Sequence, residues 1–115
     1  MFKTSVAEIS NSIFQYGGVR NVWVIYTTRA SIHHNNINGA FKFAIDLDAS
    51  SGPFTMIHDN WIHNNSYQAV FIEQGTQFSV VTRNTLGPGR YTQSQYLLLY
   101  NVISSHVISY RQITT

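Results

Sequence analysis

The segment Ile32-His-His-Asn-Asn-Ile37 recurs along the chain as Ile57-His-Asp-Asn-Trp-Ile62 and as Val81-Thr-Arg-Asn-Thr-Leu86. All three have the form apolar, two variable residues, Asn, one variable residue, apolar. Their first residues are 25 and 24 positions apart. A fixed period of this length is typical of a solenoid, in which each repeat buries its apolar side against its neighbours.

Weaker copies of the same segment lie on both sides of these three. Upstream, Glu8-Ile-Ser-Asn-Ser-Ile13 places Asn11 24 residues before the Asn of the first clear repeat. Downstream, Ile108-Ser-Tyr-Arg-Gln-Ile113 keeps both apolar positions and has Arg111 at the Asn position. The sequence therefore predicts about four repeats and part of a fifth.

A second recurring element lies between the Asn segments, at residues 22–26, 44–48, 70–73 and 96–100. These runs are short, rich in β-branched and aromatic residues, and bounded by Gly, Ser, Asn and Pro, which is typical of strands. A common 25-residue offset matches Ile45 to Val70 and Leu47 to Ile72, so each strand is expected to stack on the next. We expect one all-β domain over 1–115, with coils of two or three strands about 4.8 Å apart.

The recurring Asn has a structural explanation. A turn between strands often needs a residue in the left-handed region, which Asn tolerates, and its amide can hydrogen-bond nearby groups. One Asn above another predicts a ladder of amides like those of stacked cross-β sheets. Its members are predicted to be Asn11, Asn35, Asn60 and Asn84.

With this frame and ladder, the chain resembles the right-handed parallel β-helix family over about residues 6 to 113. That is the architecture of pectate lyases and of many other proteins that act on polysaccharides. The resemblance implies a polysaccharide partner and, because most members are exported, a secreted or cell-surface location. The same scaffold hosts lyases, hydrolases, epimerases, tailspikes and adhesins, so the function must be argued from particular residues.

Composition excludes several other classes of protein. The chain has 43% hydrophobic and 10% charged residues and no cysteine, which rules out a disulfide framework. Its basic residues are scattered, so nucleic acid is not expected as a partner. No stretch resembles a signal peptide or a membrane span. Since the repeat begins within the first dozen residues without a capping signal, we expect these coils to belong to a longer solenoid.

Strand alternation predicts a patch of functional residues on the outer side of the coils. With Ile45 and Leu47 inward, the residues between and after them face solvent. Stacking then places aromatic and acidic side chains in two adjacent rows, one of Trp23, Asp46 and Phe71 and the other of Ile25, Asp48 and Glu73.

This patch suits a polysaccharide. Trp23 and Phe71 offer apolar ring faces to sugars. Asp46, Asp48 and Glu73 supply carboxyl groups for acid and base catalysis, and crowding among them favours one protonated member. The three carboxylates would alternatively hold Ca²⁺, the arrangement by which pectate-lyase-like proteins hold an acidic substrate.

Histidines form a second candidate group. His33 and His58 occupy matching positions one coil apart, His34 stands beside Asp59, and His63 follows near the next turn. Imidazole changes charge near neutral pH, which suits His58 for acid or base catalysis and His63 for substrate binding. His33 and His34 are expected to point to opposite faces if extended.

Two functions remain open from the sequence. One is binding or cleavage of a polysaccharide, by hydrolysis or by elimination, at the patch of Trp23, Asp46, Asp48, Phe71 and Glu73. The other is a non-catalytic spacer or recognition module of an adhesin, surface protein or tailspike. Oligomeric state is not indicated.

Overall fold

The computed structural model describes residues 6–25, 29–48, 55–73, 79–89, 97–99 and 106–112. These residues form twelve short strands and no helix. In chain order the strands are β1 Val6–Ser10, β2 Ile13–Gln15, β3 Arg20–Val24, β4 Arg29–His33, β5 Asn36–Asn38, β6 Phe43–Leu47, β7 Thr55–His58, β8 Trp61–His63, β9 Val70–Ile72, β10 Ser79–Leu86, β11 Leu97–Leu99 and β12 His106–Gln112.

The strands form two parallel sheets, because each strand pairs with its equivalent in the next coil. In the eight-stranded sheet, β1, β4, β7 and the first half of β10 form one row, while β2, β5, β8 and the end of β10 form another, with β12 added to β10. The second sheet has the order β11-β9-β6-β3. The chain is thus a parallel β-helix of four coils and the start of a fifth.

Coil length varies from one turn of the solenoid to the next. The register steps from Ile9 to Ile32, Ile57, Val81 and Ile108, which are offsets of 23, 25, 24 and 27 residues. The extra residues fall in the turns, since the paired strands stay in register. The predicted pairs of Ile45 with Val70 and of Leu47 with Ile72 are confirmed.

Columns of aliphatic side chains fill the interior. Alternation along each strand sends every second residue inward, and the parallel register stacks these residues on each other. The buried columns are Ile9-Ile32-Ile57-Val81, Ile37-Ile62-Leu86, Val22-Ile45-Val70 and Val24-Leu47-Ile72. Each fully buried side chain contributes about 1.5 to 3 kcal/mol, which makes these columns the main source of stability.

An Asn ladder runs along the buried turn between the two rows of the larger sheet. Asn35 Nδ2 donates to Asn60 Oδ1 at 3.1 Å, and Asn60 Nδ2 donates to Asn84 Oδ1 at 2.9 Å. Each Nδ2 also donates to a main-chain carbonyl of the preceding coil, those of Ile9, Ile32 and Ile57 respectively. The side-chain amides are therefore satisfied although they are buried.

Asn11 does not belong to this ladder, contrary to the sequence prediction. The first coil is 23 residues long, so Ser12 is level with Asn35 and donates its N–H to Asn35 Oδ1 at 3.0 Å. Asn11 is exposed and has φ 52°. In the fifth coil a register shift places Tyr110, and not Arg111, opposite Asn84.

The left-handed residue of this turn is also not the ladder Asn. It is the residue before it, which is Asn11, His34, Asp59 and Arg83 in successive coils, with φ between 52° and 57°. The left-handed backbone makes the corner, and the following Asn turns its amide into the stack. The two tasks that the sequence assigned to one residue are therefore divided between neighbours.

Candidate functional site

The outer side of the four-stranded sheet carries the predicted patch. Trp23 is the register partner of Asp46, and Asp46 is the partner of Phe71. Just beyond the strand ends, the N–H groups of Asp48 and Glu73 donate to main-chain carbonyls of the preceding coil at 2.8 and 2.9 Å. The predicted adjacency of these five residues is therefore present in the structure.

Asp46 is buried, whereas the sequence predicted that it would face solvent. Its exposed fraction is 0%, because neighbouring side chains of the outer face cover it. Arg20 reaches Asp46 from the coil before and forms an ion pair with Oδ2 through Nε. Alternation correctly put Asp46 outside the apolar core, but it could not reveal this cover.

The two aromatic residues of the patch are half-buried and packed. Trp23 donates from Nε1 to Asp48 Oδ2 at 2.8 Å, and the guanidinium carbon of Arg20 lies 4.5 Å from the centre of a Trp23 ring. Phe71 packs against Phe43 with ring centres 4.4 Å apart. Trp23 therefore orients a carboxyl group in addition to offering apolar surface.

Glu73 has the most perturbed electrostatics of the patch. Burial raises its pKa to about 8, with further contributions from a hydrogen bond and charge repulsion by Asp46 and repulsion by Asp48, while Arg20 opposes the rise. Glu73 Oε2 and Asp46 Oδ1 are both buried and have no other partner among the described residues. A proton on Glu73 supplies the hydrogen that lets one oxygen donate to the other, so the protonated acid is the form that fits.

The three carboxyl groups lie close enough to share one cation. One oxygen from each of Asp46, Asp48 and Glu73 lies within 4.8 Å of the others. Ca²⁺ requires six to eight oxygen ligands, however, and Arg20 and Trp23 already hold two of the six carboxyl oxygens. The adjacent guanidinium also repels a dication, so the donor set does not fit Ca²⁺.

His58 and His63 lie on the eight-stranded sheet, so the structure does not bring them together with the acidic patch. His58 Nδ1 lies 2.7 Å from Asp59 Oδ2, and Arg83 donates to the same Asp59 oxygen at 2.9 Å. Hydrogen bonds from Arg83, then from His58, hold the pKa of Asp59 well below its usual range. These contacts form a network of their own.

His63 makes structural contacts on the other row of that sheet. Its ring stacks on Trp61 with centres 4.4 Å apart, and its Nε2 lies 3.0 Å from Asn36 Oδ1. Burial lowers its pKa. The turns that follow Asp48 and Glu73, at 49–54 and 74–78, lie outside the described residues.

Sequence reasoning missed Arg20 and Phe43, which cover the patch. A signal for both was present. They are register partners at the starts of β3 and β6, which also carry Trp23 and Asp46. A basic residue three positions before the aromatic one could have been recognised as a partner for the buried carboxylate.

The comparison with family models agrees with this architecture. A family model described as a right-handed β-helix region matches residues 1–96. The chain belongs to the right-handed β-helix family. No curated protein and no solved structure matches it significantly. In the part of the chain that the structure describes, no helix has the length and apolar character needed to cross a membrane.

Proposed function

We propose that this β-helix binds a polysaccharide on the outer side of its four-stranded sheet and hydrolyses a glycosidic bond there. The observation that carries the proposal is the raised pKa of Glu73 beside two other carboxyl groups. A carboxylic acid that keeps its proton near neutral pH is what the general acid of a glycosidase needs. A polysaccharide substrate also implies a secreted or cell-surface protein.

The roles follow from the accessibility of each carboxyl group. Glu73 is half-buried and donates its proton to the oxygen of the leaving sugar. Asp48, also half-buried and oriented by Trp23, attacks the anomeric carbon as that bond breaks. Water activated by Glu73 then releases the sugar from Asp48. Oxygens within 4.8 Å are nearer to the ~5 to 5.5 Å of retaining enzymes than to the ~6.5 to 9.5 Å of inverting enzymes.

Asp46 is assigned a positioning role, since a fully buried side chain does not reach substrate. Its negative charge helps to keep the proton on Glu73, and Arg20 limits the cost of burying that charge. Trp23 and Phe71 supply the apolar surface against which a sugar ring packs.

A second candidate function is that of a non-catalytic module of an adhesin or tailspike. The observation in its favour is that Arg20, Trp23, Asp46 and Asp48 hold each other across adjacent coils. Such a network stiffens a solenoid even if no substrate is ever bound.

Activity on polysaccharides distinguishes the candidates. The longest protein that contains these coils would be incubated with a panel of neutral and uronic polysaccharides, with Ca²⁺ and with a chelator. Hydrolysis releases reducing ends, whereas elimination releases an unsaturated product that absorbs ultraviolet light. Glu73→Gln and Asp48→Asn should abolish release, while Asp59→Asn, on the other sheet, should not. Binding or inertness without cleavage would favour the spacer.

A further inference from the structure

The outer side of the eight-stranded sheet carries a compact cluster of imidazoles where the first three coils meet. His33 and His58 stack in parallel with ring centres 4.8 Å apart, and His34 meets both rings edge-on. His33 and His34 are consecutive, and extended backbone would send them to opposite faces. The left-handed φ of His34, 57°, instead brings its ring beside that of His33.

The contact between His33 and His34 has the geometry of two metal ligands. Their Nδ1 atoms lie 2.8 Å apart. Without a metal, this contact needs one hydrogen between two ring nitrogens. A divalent ion bound at about 2.0 to 2.1 Å from each nitrogen would subtend roughly 85 to 90° at the metal. A near-right angle is typical of the tetragonal geometry preferred by Cu²⁺ and Ni²⁺, and not of tetrahedral Zn²⁺.

Glu8 prepares His33 for this role. His33 Nε2 lies 3.0 Å from Glu8 Oε1, so the carboxylate keeps a proton on Nε2 and leaves the lone pair on Nδ1. Carboxylate–histidine pairs of this kind orient the ligands of most protein metal sites. His58 supports His33 from the next coil, and its own ring is fixed by the hydrogen bond to Asp59.

We propose that His33 and His34 bind a tetragonal divalent cation, Cu²⁺ or Ni²⁺, through their Nδ1 atoms, with Glu8 as the orienting carboxylate. Binding requires His34 to move its proton from Nδ1 to Nε2 or to release it. His34 is exposed, so solvent can exchange that proton. The ion would link the first two coils through Glu8 and His33. This site is separate from the carboxyl groups proposed for hydrolysis and does not depend on their function.

Calorimetric titration of the chain with CuCl₂ and NiCl₂ tests the proposal, with ZnCl₂ for comparison. The parent protein should bind one equivalent of Cu²⁺ or Ni²⁺, more tightly than Zn²⁺, and a chelator should remove it. His34→Ala should weaken binding at least ~10-fold, and Glu8→Gln should weaken it about 10- to 100-fold, the usual effect of losing an orienting carboxylate.

The matched control is His63→Ala, which removes a histidine from the neighbouring row of the same sheet. Its affinity for Cu²⁺ should stay within about twofold of the parent. Circular dichroism would verify that every variant is folded, and electron paramagnetic resonance of the Cu²⁺ form should report two equatorial nitrogens. Absence of binding by the parent chain, or equal losses in the His34 and His63 variants, would overturn the proposal.

Discussion

Replacing Glu73 by Gln should change how the stability of the β-helix depends on pH. The pKa of Glu73 is about 8 in the folded protein, against an ordinary value of 4.5. Between these two pH values the folded protein binds more protons at this position than the unfolded chain does, so the free energy of unfolding falls as pH rises. The contribution is fully present below pH 4.5 and is lost as pH passes 8. The glutamine side chain of the variant has no proton to lose and keeps an N–H donor for Asp46.

The magnitude follows from the size of the pKa rise. A rise of about 3.5 units corresponds to roughly 5 kcal/mol at 1.36 kcal/mol per unit if the group were fully shielded. Glu73 is only half-buried, so solvent screening should reduce this to about 1 to 2 kcal/mol. For a domain of 115 residues that is a difference in Tm of roughly 4 to 8 °C.

Thermal unfolding followed by circular dichroism at pH 5, 7 and 9 measures the effect. Glu73→Gln and the parent should have similar Tm at pH 5, and the variant should be the more stable at pH 9. Glu8→Gln provides the control, because Glu8 is largely exposed and its effect should not grow between pH 7 and 9. Parallel profiles for parent and Glu73→Gln would refute the electrostatic account of the site and, with it, Glu73 as the general acid.

Other predictions concern the ladder, a close contact and the proposed chemistry. Asn60→Ala should destabilise the protein by about 2 to 4 kcal/mol because it leaves buried donors and acceptors on both neighbouring coils unpaired, whereas Asn11→Ala should cost only about 1 kcal/mol, for the left-handed backbone; urea unfolding measures both. Gly87→Ala places a Cβ 2.5 Å from the Trp61 ring and should cost about 1 to 3 kcal/mol in the same assay. Asp48→Asn should abolish polysaccharide cleavage without lowering Tm, and a chelator should leave the parent's cleavage rate unchanged; metal-dependent cleavage would contradict the proposed roles of the carboxyl groups.

The register of the core was predictable because it depends on local spacing. Strand alternation identifies the inward residues, and one strand per coil in each row makes a single offset enough to match them. Ile45 was correctly placed on Val70 by counting alone. Counting failed for Asn11, because the first coil is 23 residues long and the left-handed corner also accepts Asn.

The composition of the acidic patch was also predictable, but its environment was not. The same offset correctly matched Trp23, Asp46 and Phe71. Burial of Asp46 depends on how the long side chain of Arg20 folds over the outer face, and spacing carries no information on that. The raised pKa of Glu73 arises from the same cover.

By itself the sequence determined the solenoid, its inward columns and which outer residues become neighbours, because these follow from a short period and from alternation. Only the tertiary structure decided that Asp46 is buried against Arg20 and that His34 turns toward His33. Side-chain cover and a single left-handed residue are set by packing among coils, and that packing exists only after the coils have stacked.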